Sequence, residues 1–425
     1  MGFSFHEQVV SAAVDSDYLS EDRPLAAFVD TAAVRKTIKS LKDAFPGHFK
    51  HMFAAKANTM RRALELVKEE GMGCEVASPG ELEQALRTGF LTRDIVFDEP
   101  AKTDAVLRRV SEAGVNLNID NFQEFSRVAE LVDPASCDAD IGFRINPQVG
   151  SGSIGAMSTA TQSSKFGVAL EDEGNRESII GCYLDHPWMN SLHTHVGSQG
   201  CSLELMSGGV RKVTALAGLI NERAGRKQVR TIDIGGGLPV NFASEEITPT
   251  FADYAAILRE KAPELFSGEY RVKTEFGRSI FAKNGFIASR IEYTKKSGDR
   301  HIAISHAGAQ VATRTIFMPD HWKIRISALG PDGMEKTGAA VSQDIGGPLC
   351  FAGDMAGTDR LLPLIEPGDF VVLHDTGAYY FSNPFYYNAL PAPAVYGVEL
   401  NQDGSAGFDC WRNAQSMDDM LAVIG

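Results

Sequence analysis

A lysine closes the apolar run Phe53-Ala54-Ala55-Lys56-Ala57-Asn58, and a lysine leaving a buried strand is costly unless it serves a purpose. Two chemistries fit it. Its stem can snorkel the ammonium to water, or the amine can be held in a dry pocket to form a Schiff base with a carbonyl cofactor. Further on, Gly235-Gly236-Gly237 directly follow another apolar run. Three such glycines either make a tight turn or let the backbone approach a ligand and turn its N–H groups toward a phosphate. Arg278, in Thr274-Glu275-Phe276-Gly277-Arg278, offers a fixed cation beside that turn. Glu75, Arg144, Asn146, His193, His195 and Glu275 also stand at the ends of apolar runs. Chance scatter would send many of them into helices.

The elements that must position these residues can be read from periodicity. Apolar runs alternate with amphipathic stretches, which signals parallel β/α architecture. The runs predict eight strands near Phe49–Ala54, Gly73–Val76, Ile95–Phe97, Asn116–Ile119, Ile141–Ile145, Ser191–His195, Thr231–Ile234 and Val272–Glu275. Helices are expected over Arg61–Glu70, Gly80–Thr88, Thr103–Ala113, Phe122–Val132 and Leu203–Ala224, with Asn58-Thr59 capping the first near Met60. Eight such strands close into a (β/α)8 TIM barrel whose functional groups gather at the strands' C-terminal ends, with phosphate sites after the seventh and eighth. Beyond Arg278, short strands at Phe281–Tyr293, His301–Ser305, Trp322–Ile326 and Phe370–His374, with Gly/Pro/Asp turns between them, predict a β-rich domain.

The 425 residues exceed one ordinary core. A hydrophobic content of 44% with 23% charged residues fits a soluble globular protein, and a formal charge of −14 argues against a polyanion as main partner. Neither nucleic acid nor membrane is an expected partner. The acidic N-terminus carries no long apolar run, and its Met-Gly start is a discounted myristoylation match. Six cysteines (Cys74, Cys137, Cys182, Cys201, Cys350 and Cys410) form no CxxC pair, so neither zinc nor a disulfide framework is indicated and a reducing cytoplasm fits best. His301 and His306 do not make a metal site. His193 reads as a structural flank of His195, and Lys295-Lys296 as a solvated turn.

Nine stretches, in order along nearly the whole chain, resemble the fold-type III pyridoxal-phosphate decarboxylases, the group of diaminopimelate, ornithine and arginine decarboxylases. They are FAAKAN (53–58), GCEVASPGEL (73–82), FRINP (143–147), SKFGV (164–168), HTHVGSQ (193–199), IDIGGG (232–237), EFGR (275–278), GPLC (347–350) and GAYYFSNPFYYN (377–388). The motifs are closest to the diaminopimelate decarboxylase-like members. The resemblance implies pyridoxal 5'-phosphate as cofactor, with Lys56 as the Schiff-base lysine and His195 stacked on the ring. Ser198, Gly235, Gly236 and Gly237 would hold the phosphate, Glu275 would face the pyridinium nitrogen, and Gly277, Arg278 and Tyr379 would touch cofactor or substrate. Cys350 would supply a proton to the neighbouring subunit's site, since such enzymes are head-to-tail homodimers. The expected domains are an N-terminal segment (1–30) joining the β domain, a barrel (31–280) and a β-rich domain (281–425).

Departures from the family bear on substrate. Lysine- and ornithine-type members place an acid next to the cysteine to hold a distal ammonium, where this chain has Phe351. Arg314 stands where diaminopimelate enzymes grip a distal carboxylate, but their tyrosine four residues on is Met318 here, His306 replaces a usual aspartate and Phe276 a usual proline. Tyr387, beside Asn388, is a further substrate-side candidate. The expectation is decarboxylation of an amino acid with a distal carboxylate or anionic group, such as a diaminopimelate-like substrate or a carboxylate-rich conjugate. meso-Diaminopimelate itself is the alternative, with Asp354 or Asp320 taking the ammonium. An amino-acid racemase, disfavoured by Glu275, and a non-catalytic homologue, disfavoured by Lys56, His195, Glu275 and Cys350, complete the alternatives.

Overall fold

The computed structural model describes residues 4–134 and 138–425, so Cys137 and the Met-Gly start lie outside the described residues. Two compact units emerge, one of Met1–Lys36, Asn241–Glu246 and Ile280–Gly425, the other of Thr37–Val240 and Ile247–Ser279. After a helix over Phe5–Asp15, strand β1 (Leu25–Asp30) belongs to the first unit. The second unit then supplies β2 (Phe49–Ala54), β3 (Gly73–Val76), β4 (Ile95–Phe97), β5 (Asn116–Ile119), β6 (Ile141–Asn146), a two-residue β7 (Val168–Ala169), β8 (Ser191–His193), β9 (Thr231–Asp233) and β10 (Arg271–Phe276).

Eight of these pair in parallel and close on themselves. The order is β5-β4-β3-β2-β10-β9-β8-β6, with β6 returning to β5 through Leu117 and Ile141, and β7 added beside β6. Both faces of the ring are covered, so the strands are buried along nearly their whole length, charged members such as Glu75 and Arg144 included. The intervening helices begin on side-chain caps. Ser78 accepts from Glu81 N, Thr103 from Val106 N, Asn121 from Glu124 N, Ser202 from Leu205 N and Thr250 from Asp253 N, each contributing about 1 kcal/mol. The expected cap at Asn58 is different. A single turn over Ala55–Ala57 intervenes, Asn58 Oδ1 accepts from Met60 N, and the helix starts at Arg61 with no side-chain cap.

The other unit holds β11 (Gly285–Ser297), β12 (Arg300–Ser305), β13 (Ile326–Leu329), β14 (Ala340–Gly346), β15 (Met355–Pro363), β16 (Phe370–Leu373), β17 (Ala394–Leu400) and β18 (Ala406–Arg412). The sheet order is β15-β14-β12-β11-β1-β17-β18, with β16 also on β11 and β13 on β16. β1 lies between an antiparallel β11 and a parallel β17. Val9 and Val10 of the first helix pack with Phe28, Phe286, Val372 and Val398 to make this unit's core.

Two predicted strands are corrected. The chain over Phe281–Tyr293 begins as helix Arg278–Phe281 and a turn at Ala282–Asn284, because Asn284 Nδ2 bonds back to Ile280 O, and the strand starts only at Gly285. Trp322–Ile326 forms no ladder before Ile326, and the buried Trp322 anchors a loop instead. A helix over Ala309–Phe317 also interrupts the expected run of strands, with Asp354 Oδ1 accepting from Ala309 N at its start. Among the described residues no helix is long and apolar enough to cross a membrane.

Candidate active site

The C-terminal ends of the barrel strands bring the charged residues together. The turn after β2 presents Lys56, whose Nζ donates to both carboxylate oxygens of Glu75 on β3, at 2.9 and 2.8 Å. Glu75 is fully buried, and burial pushes its carboxyl up against the opposing pull of Lys56. Next to β4, Asp98 Oδ2 accepts from Arg144 Nη1 of β6 at 2.5 Å. Burial alone would raise Asp98, but Arg144 first, with the cations around it, holds it below the ordinary range. His193 at the end of β8 lies between Asp98, 3.9 Å from Nδ1, and Glu275 of β10, 3.2 Å from Nε2. Burial, then the charges of Glu75 and Asp98, pushes Glu275 up to about 8. Its Oε1 is buried without a hydrogen-bond partner among the described residues.

Beyond the strand ends lie the ligand-facing turns. β8 stops at His193, leaving His195 in the loop, half-buried, its ring pulled well below the usual imidazole range by desolvation. Gly236 N donates to His195 Nδ1 at 3.2 Å, so the neutral ring carries its proton on Nε2. The glycine triplet is more selective than its sequence implies. Gly235 N donates to Asp233 Oδ1 and Gly236 N to His195, leaving only Gly237 N without an acceptor among the described residues. A Cβ on Gly236 would lie 1.9 Å from Glu275 O, and one on Gly237 1.8 Å from Gly197 O. A Cβ on Gly277 would also crowd the Lys56 turn, 2.8 Å from Ala57 Cβ. The buried Arg278 points Nη2 at Ser198 Oγ, 3.5 Å away. Gly236→Ala is therefore expected to destabilise the fold by about 3 kcal/mol, the upper end of overpacking costs, measurable as a lower urea midpoint with lost cofactor affinity. An unchanged midpoint would refute the close approach.

In the other unit, Arg314 lies on the Ala309–Phe317 helix with its guanidinium 4.2 Å over the Tyr379 ring and 5.3 Å over Trp322. Burial lowers its pKa, and among the described residues no carboxylate pairs with it. Tyr379 holds a left-handed φ of 67°, a strained setting for an aromatic residue. Met318 caps the end of that helix. One turn after Arg314, the exposed Phe317 stacks on Phe351 at 5.4 Å and 8°, and Tyr387 meets Phe351 edge-on at 5.9 Å. Cys350, exposed, donates its N–H to Asn388 Oδ1. Asp354 is no candidate for a substrate ammonium, since its oxygens already accept from Ala309 N and Leu349 N.

The barrel unit thus gathers Lys56, His195, Ser198, Gly235, Gly236, Gly237, Glu275, Gly277 and Arg278, while Cys350, Phe351 and Tyr387 cluster, and Arg314 meets Tyr379, in the β-rich unit. Asp98 carries no signal in the sequence, and His193, read there as a flank of His195, lies between Asp98 and Glu275. Asp98, His193 and Glu275 place ligand atoms within 4.8 Å of one another, a group no linear spacing could reveal. Arg144 already supplies Asp98 with a cation. An amine, an orphaned carboxylate oxygen and a close-approach turn beside Arg278 and Ser198 fit pyridoxal phosphate, whose aldehyde, ring nitrogen and phosphate would meet those three features.

Residues 31–282 match the family described as pyridoxal-dependent decarboxylase, pyridoxal binding domain. The chain is 31% identical to a diaminopimelate decarboxylase of Pseudomonas aeruginosa over 87% of this chain and 86% of that one. It is 28% identical to one from Methanothermobacter thermautotrophicus over 92% and 90%. The crystal structure of diaminopimelate decarboxylase from Helicobacter pylori complexed with L-lysine superposes with a TM-score of 0.82 at 25% identity, covering 94% of this chain and 96% of that one.

Proposed function

The chain belongs to the pyridoxal-dependent decarboxylases, and on that premise we propose that it removes one carboxylate of meso-diaminopimelate as CO2, making L-lysine. It is a carboxy-lyase acting on an amino acid, and its cofactor is pyridoxal 5'-phosphate. The cofactor's conjugated ring accepts the electron pair released as the carboxylate leaves.

The residues have separable tasks in this reading. Lys56 would hold the cofactor's aldehyde carbon, and Glu75 is the carboxylate that pairs its ammonium when the amine is free. Glu275 turns its orphaned Oε1 to the ring nitrogen. Arg278, Ser198 and Gly237 hold the phosphate, and His195 lies against the ring. Cys350 Sγ would supply a proton to the carbon that loses CO2, at the neighbouring copy's site in a homodimer. Mixing Lys56→Ala chains with Cys350→Ala chains should then restore up to about a quarter of wild-type activity, as shared sites of a two-fold dimer require. No restoration on mixing refutes a shared site.

The observation that carries the substrate reading is Arg314, a buried cation braced by two rings and paired with no described carboxylate. Such a group suits a distal carboxylate on the substrate. Arg314→Gln should raise KM for meso-diaminopimelate by about ten- to a hundredfold, the worth of a charge-assisted hydrogen bond. A second reading has its own observation, the Phe351–Phe317 stack in the place of an ammonium-binding acid. It favours a carboxylate-bearing conjugate without a free distal amine. CO2 release from meso-diaminopimelate, 2-aminopimelate, ornithine and arginine separates the two. Preference for 2-aminopimelate supports the conjugate reading, and turnover of ornithine or arginine at the diaminopimelate rate would sink both.

A further inference from the structure

His193 sits at the centre of the buried charge group, yet the tasks above leave it none. Its ring is fully buried, with Nε2 3.2 Å from Glu275 Oε2 and Nδ1 3.9 Å from Asp98 Oδ1, while Asp98 is bonded to Arg144. Neither ring nitrogen makes a well-formed hydrogen bond to a described residue, and buried polar atoms in that state call for an explanation. The charged groups around the imidazole come from five strands: Glu75 from β3, Asp98 from the end of β4, Arg144 from β6, Asp233 from β9 and Glu275 from β10. A histidine spent only on packing would be replaceable by an apolar side chain. Here the ring is instead the sole side chain within ion-pair distance of Glu275 among the described residues, and it approaches the oxygen opposite the orphaned Oε1.

We propose that His193 is a positioning residue for the decarboxylation: its imidazole holds Glu275 Oε2 from Nε2 and so aims Oε1 at the cofactor's ring nitrogen. The arrangement is a donor–carboxylate contact in which Nε2–H supports the ionised carboxylate, as an outer partner fixes the orientation and basicity of a group that itself touches a ligand. Burial keeps the His193 ring neutral, which leaves it free to donate from one nitrogen only. Without the imidazole, Glu275 keeps burial and the charges of Glu75 and Asp98, which push its proton on, against the smaller opposing pull of Lys56 and Arg144. The ring nitrogen would then lose its fixed counter-charge as the pH falls. This inference rests on the assignment of Glu275 to the ring nitrogen.

The test uses holoenzyme and reads the visible absorption of the bound cofactor against pH, together with cofactor affinity. Wild type and His193→Gln, whose amide keeps an N–H near the same place, should show a flat band between about pH 6 and 9. His193→Leu should show a band that titrates inside that window, a cofactor dissociation constant raised about tenfold, and a lower kcat at unchanged KM. If the leucine chain fails to fold, His193→Asn, whose shorter amide stops short of Glu275, carries the same expectation. Leucine and glutamine variants behaving alike, or a leucine variant that changes only its Tm, would overturn the proposal. Glu275→Gln separates the two layers. If its band titrates while that of His193→Leu stays flat, only the role of His193 falls, whereas a flat band in Glu275→Gln removes the assignment of Glu275 as well.

Discussion

Lys56→Ala chains are expected to lose turnover by about ten-thousand-fold or more, the scale seen when a group that bonds covalently in the reaction is deleted. The amine is the covalent anchor in this reading, and among the described residues no other lysine bonds to the group formed by Glu75, Asp98, His193 and Glu275. The clean readout is mass rather than rate. After borohydride reduction, the wild-type peptide carrying Lys56 should gain the reduced cofactor, and the variant should gain nothing anywhere. A cofactor adduct on a different lysine would refute the assignment even if activity were lost. The substitution also strips the fully buried Glu75 of its cation, so the variant's Glu75 should hold its proton to a higher pH than in the wild type.

Glu275→Gln should lower kcat by about a hundred- to a thousandfold, the range for removing one preorganised charge at a reacting centre. The same substitution should stabilise the protein without cofactor. Glu275 has a folded pKa raised to about 8 by burial, Glu75 and Asp98, against an ordinary carboxylate value when unfolded. Between those values the folded state binds more protons than the unfolded one, so stability falls as pH rises from the unfolded pKa through the folded one. An isosteric neutral amide escapes that loss. The Tm of the cofactor-free variant should exceed wild type by about 2–4 °C at pH 8 and converge with it in acid. Equal Tm values at pH 8 would mean that Glu275 is ionised comfortably without a ring nitrogen beside it.

How far the sequence shows all this depends on the range of each interaction. The barrel strands are legible because each is a short apolar run covered on both faces, and the helices because Ser78, Thr103 and Ser202 cap them locally. Lys56, the glycine triplet and Glu275 are legible because a charge or flexible turn ends an apolar run. The surroundings of His193 are not legible, because Asp98 and Glu275 come from strands far apart in the chain and meet it only when the ring closes. Gly235 and Gly236 are half-read, since the acceptors Asp233 and His195 that capture their N–H groups depend on the exact turn. In the β-rich unit, Asp354 looks available until the fold shows it capping Ala309. Strand limits at Gly285 and Ile326 are lost because glycine-rich close approaches and a buried Trp322, rather than alternation, set them.

The placement of β1 between β11 and β17 has a consequence for the protein's birth on the ribosome. The middle of that sheet is synthesised first, and the strands that flank it arrive only with residues 285–297 and 394–400. Until then Ala26, Ala27, Phe28 and Val29, all fully buried when folded, present an apolar strand with two open edges to other chains. Translation that stalls before residue 394 would release a species still sticky along one of those edges, so the chain's solubility is decided by its last strands as much as by its first.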